Sequence, residues 1–387
     1  MAFFRNDTVN WLNLHYGVHA LALSGGGAFF GAFLLHAGVS APGVLTAWAA
    51  TLAGRFILRP AVLPLARRVG LRALVIAGAL LVGAEYPLLA RVHGVGPTLF
   101  ALVALSAVAD TAYWTCYHAY FAGLGDAEHR GHQIGAREAI AALVGIVGPL
   151  ATGWALNTLG PDIAFGGTGV VLALSALPLL ATPKVAVIAA APGALRAAWA
   201  GVRLFAVDGW IGAGTYLVWQ IALFISLGQS FTAYGAAMAL AALVGAVSGL
   251  LLGRWIDRGH GIKAVWAATG AMAFGVALRA GAMGHPLLAI GANAAGTVVA
   301  ALYIPTLMTA VYNQAKGSPC TLRFHIATEG GYDAGCAAGL MTAAGLLWAG
   351  IPLGLVLLLP LAGVLAQSVL LSRYYSAAEP LKPVATI

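Results

Sequence analysis

Long apolar stretches, separated by short groups of glycine, proline and charged residues, make up almost the whole chain. A helix needs about 20 mostly apolar residues to cross a lipid bilayer, and twelve stretches come close to this length. The pattern therefore predicts an all-α polytopic membrane protein with twelve transmembrane helices. The predicted spans cover about residues 12–36, 41–63, 71–91, 97–121, 133–156, 163–182, 207–229, 231–252, 264–283, 286–312, 322–347 and 350–372.

The composition supports this class and excludes several others. Of the residues, 61% are hydrophobic and only 8% are charged, whereas soluble domains carry roughly 25% charged residues. A soluble enzyme, a nucleic-acid-binding protein and a disordered regulator are excluded. The three cysteines have no metal-like spacing, so we expect neither a metal site nor a cofactor.

The basic residues indicate an orientation. They fall in alternate connections, and the opposite connections carry almost none except Arg91. Because cytoplasmic loops of membrane proteins are enriched in Lys and Arg, we expect both termini in the cytoplasm and a location in the inner membrane. The same rule accounts for the net charge of +8 without nucleic acid. The residues on the predicted cytoplasmic side are Arg5, Arg67, Arg68, Arg72, Arg130, Lys184, Arg196, Arg203, Arg254, Arg258, Lys263, Lys316, Arg373 and Lys382.

The longest connection divides the chain into two halves. We expect a six-helix bundle over residues 1–182, a cytoplasmic linker over 183–206 and a second six-helix bundle over 207–387. Within the linker, residues 193–203 have an amphipathic pattern that favours a helix on the membrane surface. A partly ordered linker is the alternative.

The halves also match weakly at an offset near 190 residues. Residues 63–72 after the second span correspond to residues 253–263 after the eighth, and residues 136–138 correspond to 327–329. Such parallel repeats are one known plan of transporters.

Residues 253–263 resemble the loop signature of the major facilitator superfamily, G-x-x-x-D-R-x-G-x-K/R, with one additional residue before Gly261. Gly253 permits close helix approach, and Asp257 with Arg258 would form a conformational latch. The first-half copy has Leu63 and Arg67 in place of the glycine and aspartate.

A second resemblance lies in span five, where residues 145–153 look like the G-x-x-x-G-P-x-x-G-G motif of facilitator-family antiporters, with Thr152 at a glycine position. Pro149 bends the helix and Gly148 allows tight packing. The resemblance implies two pseudo-symmetric six-helix bundles, a monomer working by alternating access, and an exporter.

Placing an ionisable side chain inside the bilayer costs free energy, so such residues are candidates for a function. In span eleven, His325, Glu329 and Asp333 are spaced by four residues and share one helix face. Two neighbouring carboxylates tend to share a proton, so this face is a candidate for proton coupling. The alternative is that these groups bind polar partners in neighbouring helices or lie in the cytoplasmic vestibule.

Span four carries a stripe of one acid and three aromatic residues, Asp110, Tyr113, Trp114 and Tyr117. Such a stripe can line a cavity for an organic or cationic molecule, and Asp110 is a further candidate for proton coupling. Packing alone is the alternative for the aromatic residues.

His15 and His19 are four residues apart in span one. The resemblance implies that this span lines the cavity, so the two side chains are candidates for binding substrate or a proton. A metal would need a third ligand from elsewhere.

Arg55 and Arg59 lie one turn apart in span two and need counter-ions. Asp110, Glu138, span eleven or an anionic substrate could supply them, because arginine binds carboxylates and phosphates bidentately. If span eleven does not neutralise the arginines, an anionic substrate is favoured. Arg137 and Glu138 at the start of span five are also candidates for substrate binding, and snorkelling is the alternative for Arg59.

These features predict a secondary transporter that moves a small organic, in one interpretation anionic, solute and couples it to protons, with lipids as its surroundings. Export is favoured over the alternatives of a proton-coupled uptake permease and a lipid or amphiphile flippase. A membrane-embedded transferase and a transport-inactive receptor are the alternatives from other classes. The transferase lacks a clustered catalytic constellation, and the receptor would not need the buried charges, so we do not expect an enzyme.

Overall fold

The computed structural model describes residues 6–124, 130–185, 187, 190–257 and 261–377, and within them the chain is helical without a strand. The first half begins with α1, which a short 3-10 turn connects to α2. The helices are α1 (Asp7–Gly25), α2 (Phe30–His36), α3 (Ala41–Val69), α4 (Leu71–Leu89), α5 (Pro97–Leu124), α6 (Arg130–Thr158), α7 (Pro161–Ser175), α8 (Ala194–Gly212), α9 (Trp219–Ser226), α10 (Phe231–Asp257), α11 (Ile262–Ala282), α12 (Pro286–Lys316), α13 (Thr321–Trp348), α14 (Leu353–Val356) and α15 (Pro360–Ala377).

Ten helical segments in the described part of the chain are long and apolar enough to cross a membrane. The fifth and eleventh predicted spans are not among these ten. The fifth lies on α6, whose apolar part is the shorter stretch Ala142–Thr158. The eleventh lies on α13, which contains Arg323, Glu329 and Asp333. The all-helical class is confirmed, and the count of twelve spans stays a prediction.

Local sequence signals set several helix ends. The side chain of Ser40 caps α3 by accepting a hydrogen bond from the Gly43 N–H at 3.3 Å, and Asn6 caps α1 in the same way. Gly70, with φ of 86°, lies between α3 and α4 and permits the abrupt change of direction that a side chain would oppose.

The segment expected to form a separate surface helix has a different structure. From Ala194 the chain runs as one helical segment through α8, a π-helical turn (Ala213–Val218) and α9 to Ser226. The stretch 193–203 is thus the beginning of the helix that contains the seventh predicted span. Small residues let this stretch pack on α13 instead of lying on the membrane surface. A Cβ on Gly201 would lie 2.7 Å from Thr328 Cγ2, so α8 and α13 are in close contact here. The division into two halves stays a prediction.

We refer to α1–α7 as the first half and to α8–α15 as the second. The most extensive contacts between these two groups of helices are α3 with α13 and α6 with α10, and α2 with α9 and α5 with α13 also meet. We call the end of the molecule that contains the α2–α3 and α9–α10 connections the distal end. There the Tyr234 hydroxyl donates to the Ala28 carbonyl at 3.1 Å, and the rings of Phe29 and Phe231 lie 6.1 Å apart. The distal ends of the two halves are therefore in direct contact.

The close contact of α8 with α13 gives a testable consequence for stability. A Cβ on Gly335 would lie 2.6 Å from the Ala206 carbonyl carbon, whereas a Cβ on Gly345 of the same helix meets open space. We expect Gly335→Ala to lower stability by about 1–3 kcal/mol, as overpacking does. Gly345→Ala should leave stability unchanged or raise it, because alanine favours a helix. Thermal unfolding of the two purified variants in detergent measures the difference, and equal midpoints would contradict this packing.

Candidate functional site

A buried ion network joins α3 and α5 of the first half to α13 of the second. Arg59 lies at its centre: Nη1 donates to Glu329 Oε2 at 2.6 Å and to Thr115 Oγ1 at 2.9 Å. Its Nε donates to Asp333 Oδ2 at 3.1 Å, and Nη2 contacts the same oxygen. Arg59 is 2% exposed and Asp333 is fully buried, so these charges are stabilised by one another rather than by water.

Arg55 extends the network by one helical turn. Its Nη2 lies 3.0 Å from Asp333 Oδ1, and its Nη1 donates to Asp110 Oδ2 at 3.4 Å. Three carboxylates thus contact two guanidinium groups, which leaves one negative charge uncompensated when all five groups are ionised. A single added proton would balance the network.

Helical spacing explains how the sequence builds this network. Arg55 and Arg59 are four residues apart on α3, and Glu329 and Asp333 are four apart on α13, so each pair presents one face to the other helix. Span eleven therefore neutralises the arginines, which removes the argument that they need an anionic substrate. Glu329 and Asp333 both bind Arg59, and this arginine is the group they share.

The histidines of α1 belong to a different cluster inside the first half. His15 Nε2 lies 2.8 Å from the Tyr113 hydroxyl, and Nδ1 lies 2.6 Å from the Ser175 carbonyl oxygen. The ring of His19 stacks on Tyr113 with centroids 4.0 Å apart. Both histidines are buried, and this cluster connects α1 to α5 and α7.

The aromatic stripe of α5 packs in the same place. Tyr113 and Tyr117 stack at 5.6 Å, and Trp114 meets Tyr113 edge-on at 5.0 Å. None of these residues is among the described lining of the cavity below. The structure thus places the stripe in the packed interior, where aromatic residues commonly lie. His325 forms none of the described ion pairs, and its ring lies 5.7 Å from that of Phe324.

Several candidates lie outside the described side chains. Arg137 and Glu138 are on α6, and Gly253 and Asp257 are on the last turns of α10, but only their backbone is described. Arg258 is outside the described residues altogether. The latch that the loop signature implies stays a prediction.

Span five is described around its glycine-proline motif. A Cβ on Gly148 would lie 2.9 Å from the Gly25 nitrogen, so α6 and α1 approach closely there. The Ser24 hydroxyl donates to the Val144 carbonyl at 2.9 Å, and the Pro149 carbonyl faces Gly235 of α10. The motif therefore lies where α6 contacts both α1 and the second half.

A cavity of about 530 Å³ lies beside this motif. Side chains of α1 and α6 form one wall, and residues from α8 to α13 form the rest. Asp208 and Arg279 are the two charged residues of its described lining. A cleft of this size is ordinary for a small-molecule site.

Arg279 presents a cation to the cavity. Its Nη1 contacts the Thr215 carbonyl, and its guanidinium carbon lies 5.2 Å from the ring centroid of Trp219. Its Nε is buried without a hydrogen-bond partner in the described structure. No described carboxylate forms an ion pair with Arg279, so its charge is available for a ligand.

Asp208 presents an acid to the same cavity. Its Oδ1 accepts a hydrogen bond from the Tyr303 hydroxyl at 2.8 Å. Asn293 of the lining accepts from the Trp219 indole at 3.0 Å, and Tyr332, which precedes Asp333 of the ion network, also lines the cavity. The cavity and the network are therefore adjacent through α13.

Sequence position alone predicts other roles for these groups: Asp208 at the start of span seven is expected to cap that helix, and Arg279 to snorkel or to pair between spans. Three polar residues, Gln220, Gln229 and Asn293, are expected to face the cavity. Gln220, Asn293 and both charged residues line it, whereas Gln229 is not part of its described lining. The signal that identifies Asp208 and Arg279 is their depth within apolar segments.

The fold defines a polytopic membrane protein with an internal cavity between two groups of helices. The sequence profile of the Major Facilitator Superfamily matches residues 13–319, and the chain belongs to this family. No curated protein matches the sequence.

Solved structures are similar in fold. The human organic anion transporter MFSD10 (TETRAN) superposes with a TM-score of 0.69 at 15% identity, covering 94% of this chain and 99% of that one. The POT family transporter PepTSo gives 0.70 at 10% identity, with 96% and 99% covered. An autoinhibited POT family peptide transporter gives 0.69 at 11% identity, with 98% and 99% covered.

Proposed function

We propose that this protein is a secondary active transporter that moves a small organic solute across the inner membrane by alternating access and couples that movement to protons. Membership of the Major Facilitator Superfamily supports the transporter class. The observation that carries the coupling is the buried network, in which three carboxylates contact two guanidinium groups across the α3–α13 contact.

Protonation of this network changes the contact between the halves. A proton on Glu329 would neutralise the carboxylate that accepts from Arg59 Nη1 at 2.6 Å and weaken a charge-assisted hydrogen bond. Of the two carboxylates on α13, Glu329 is the more accessible, because its side chain is 16% exposed whereas that of Asp333 is 0% exposed; Asp110 of α5, at 26%, is the other accessible carboxylate of the network. The proton thereby alters the free energy of separating α3 from α13.

Tyr332 offers the connection to the solute. Its side chain lines the cavity, and its neighbour Asp333 binds both arginines. A solute that displaces Tyr332 would therefore act on the helix that holds the ion pairs. We further propose export by antiport, in keeping with the glycine-proline motif at Gly148 and Pro149, with both termini in the cytoplasm and the monomer as the working unit.

Proteoliposomes with an imposed pH gradient test the coupling. For the native protein we expect proton movement that depends on added solute, measured with a pH-sensitive dye across a panel of organic acids, amines and amino acids. Glu329→Gln should lose proton-driven accumulation but retain solute exchange at equal pH, because the amide keeps the polar contact but cannot take up a proton.

Asp162→Gln is the matched control, since Asp162 is exposed in the first turn of α7 and should leave both activities unchanged. The coupling would be refuted if no solute of the panel changed the rate of proton movement. It would also be refuted if Glu329→Gln left proton-driven accumulation of the solute unaltered.

A further inference from the structure

We infer that the cavity recognises dipolar solutes, with an anionic group bound by Arg279 and an ammonium group bound by Asp208. This inference rests on the proposed transport function and specifies its substrate class. The described lining contains one residue of each charge, and each has the geometry of a ligand contact rather than of an internal ion pair.

The site for the anionic group is built around Arg279. Gly296 of α12 leaves the space that its Nη2 occupies, because a Cβ there would overlap the guanidinium group. Trp219 and the Thr215 carbonyl hold the guanidinium group on its other sides. The surroundings therefore position the cation without neutralising it, as a carboxylate site requires.

The site for the cationic group is built around Asp208. Tyr303 donates to one carboxylate oxygen at 2.8 Å, which orients the group but leaves its charge. Asp208 forms no ion pair with a described basic side chain. Because a lone carboxylate at membrane depth is costly, an ammonium group of a solute would stabilise it.

Two independent helices give the same separation of the charges. Arg279 contacts Thr215, seven residues beyond Asp208 on one continuous helical segment, and it contacts Gly296, seven residues before Tyr303 on α12. Seven residues rise about 10 Å along a helix. The hydrogen bonds of about 2.8 Å at the two ends can point along this axis or across it, so a solute reaches both groups when its charges are about 5–10 Å apart. This range includes an extended six-carbon amino acid and excludes glycine.

The wall between the charges is mostly apolar. Met238, Met272 and Val276 line the cavity with the ring of Trp219, and the Gln220 Nε2 is buried without a hydrogen-bond partner in the described structure. The middle of the solute is thus expected to be a short aliphatic or amide-containing chain. Gln220 would donate to an acceptor there.

A set of small probes of matched length tests the inference at equilibrium. Binding of 6-aminohexanoate, hexanoate, hexylamine and glycine to the purified protein is measured by calorimetry and by ligand-dependent thermal stabilisation. We expect 6-aminohexanoate to bind roughly tenfold or more tightly than hexanoate and hexylamine, since each charged contact contributes at least this much. Glycine should bind more weakly, because its charges are too close.

Two substitutions test which residue binds which charge of the solute. Each compares the affinities of two probes for the same variant, so the ratio does not depend on the overall stability of that variant. In Arg279→Gln, 6-aminohexanoate and hexylamine should bind equally, because the carboxylate has lost its partner. In Asp208→Asn, 6-aminohexanoate and hexanoate should bind equally. The exposed residues Arg91 and Asp162 supply the controls Arg91→Gln and Asp162→Asn, which should keep the native ratios.

Equal binding of the three six-carbon probes to the native protein, absence of binding by all of them, or unchanged ratios in both variants would overturn the inference. Equilibrium binding does not require proton coupling. If the probes bind with the expected ratios of affinity but no solute changes proton movement, the proposed coupling alone is refuted. If transport is coupled to protons but Arg279→Gln and Asp208→Asn leave the ratios of affinity unaltered, the dipolar site alone is refuted.

Discussion

Asp333→Leu is expected to lower the stability of the protein by about 3–5 kcal/mol, which is the usual cost of removing one partner from a buried ion pair. Asp333 is the carboxylate that contacts both arginines of α3. With leucine in its place, Arg55 keeps Asp110 at 3.4 Å and Arg59 keeps Glu329. Each arginine then has one carboxylate, so the charges balance, but Arg59 Nε and Nη2 and Arg55 Nη2 lose their acceptor. Because Arg59 is only 2% exposed, its donors are left buried and unsatisfied.

The double variant Arg59→Leu/Asp333→Leu shows whether the cost comes from the unsatisfied donors of Arg59. Replacing a buried ion pair by apolar residues is often neutral, so we expect the double variant to be more stable than Asp333→Leu alone. Asp162→Leu, at an exposed position, is the control for the substitution itself. Thermal or detergent-induced unfolding measures the native protein, the single variants Arg59→Leu and Asp333→Leu, the double variant and the control. A double variant that loses the sum of the two single effects would contradict the network.

The network was largely predictable from the sequence, because it depends on helical spacing. The intervals of four residues in α3 and α13 place Arg55 with Arg59 and Glu329 with Asp333 on single faces whatever the tertiary structure. Asp110 was among the counter-ions expected for the arginines. The sequence could not decide that α13 faces α3, since that depends on how the two halves approach each other.

The histidines show the opposite case. His15 and His19 have the spacing of a binding pair, but Tyr113 and Ser175 contact both ring nitrogens of His15 and the Nδ1 of His19 inside the first half. The Nε2 of His19 is buried without a hydrogen-bond partner in the described structure. Helical spacing defines which residues share a face and not whether that face meets a cavity or another helix. The same limit applies to the aromatic stripe on α5.

The cavity residues were missed for a further reason. Asp208 and Arg279 are isolated in the sequence, so neither belongs to a motif, and the contacts that identify them come from Tyr303 and Gly296 of α12. The internal repeat offers one sign: α4 and α11 begin 191 residues apart, and Glu85 lies on α4 three residues before the position that matches Arg279. Glu85 is buried and accepts from Ser106 at 2.8 Å, so equivalent helices carry a buried charge in both halves.

The boundary of α8 depended on packing rather than on periodicity. An amphipathic stretch with Arg196 and Arg203 is typical of a surface helix, yet Ala198, Gly201 and Leu204 are buried. Small residues along this face let α8 lie against α13, and no proline or positive-φ glycine interrupts the segment before Ser226. A continuous helix is the result.

Gly235→Leu is expected to reduce transport by more than tenfold by opening the distal contact between α6 and α10. A Cβ on Gly235 would overlap the Pro149 carbonyl oxygen, and a Cβ on Gly153 would lie 2.7 Å from the Phe231 carbonyl oxygen. Because both helices approach at their backbones, a leucine side chain cannot be accommodated without separating them. A transporter that works by alternating access must close each end in turn, so an end that cannot close stops the cycle.

Gly249→Leu is the matched control, since Gly249 is on the same helix and a Cβ there meets open space. Solute exchange in proteoliposomes gives the rates, and labelling of a cysteine introduced at Ala28, a buried residue whose carbonyl accepts from Tyr234, reports opening at the distal end. We expect labelling to rise in Gly235→Leu and to stay low in Gly249→Leu. If Gly235→Leu exchanged solute at the native rate and its labelling stayed low, the two helices would accommodate the leucine without separating. The prediction that this contact closes the distal end of the cavity would then be wrong.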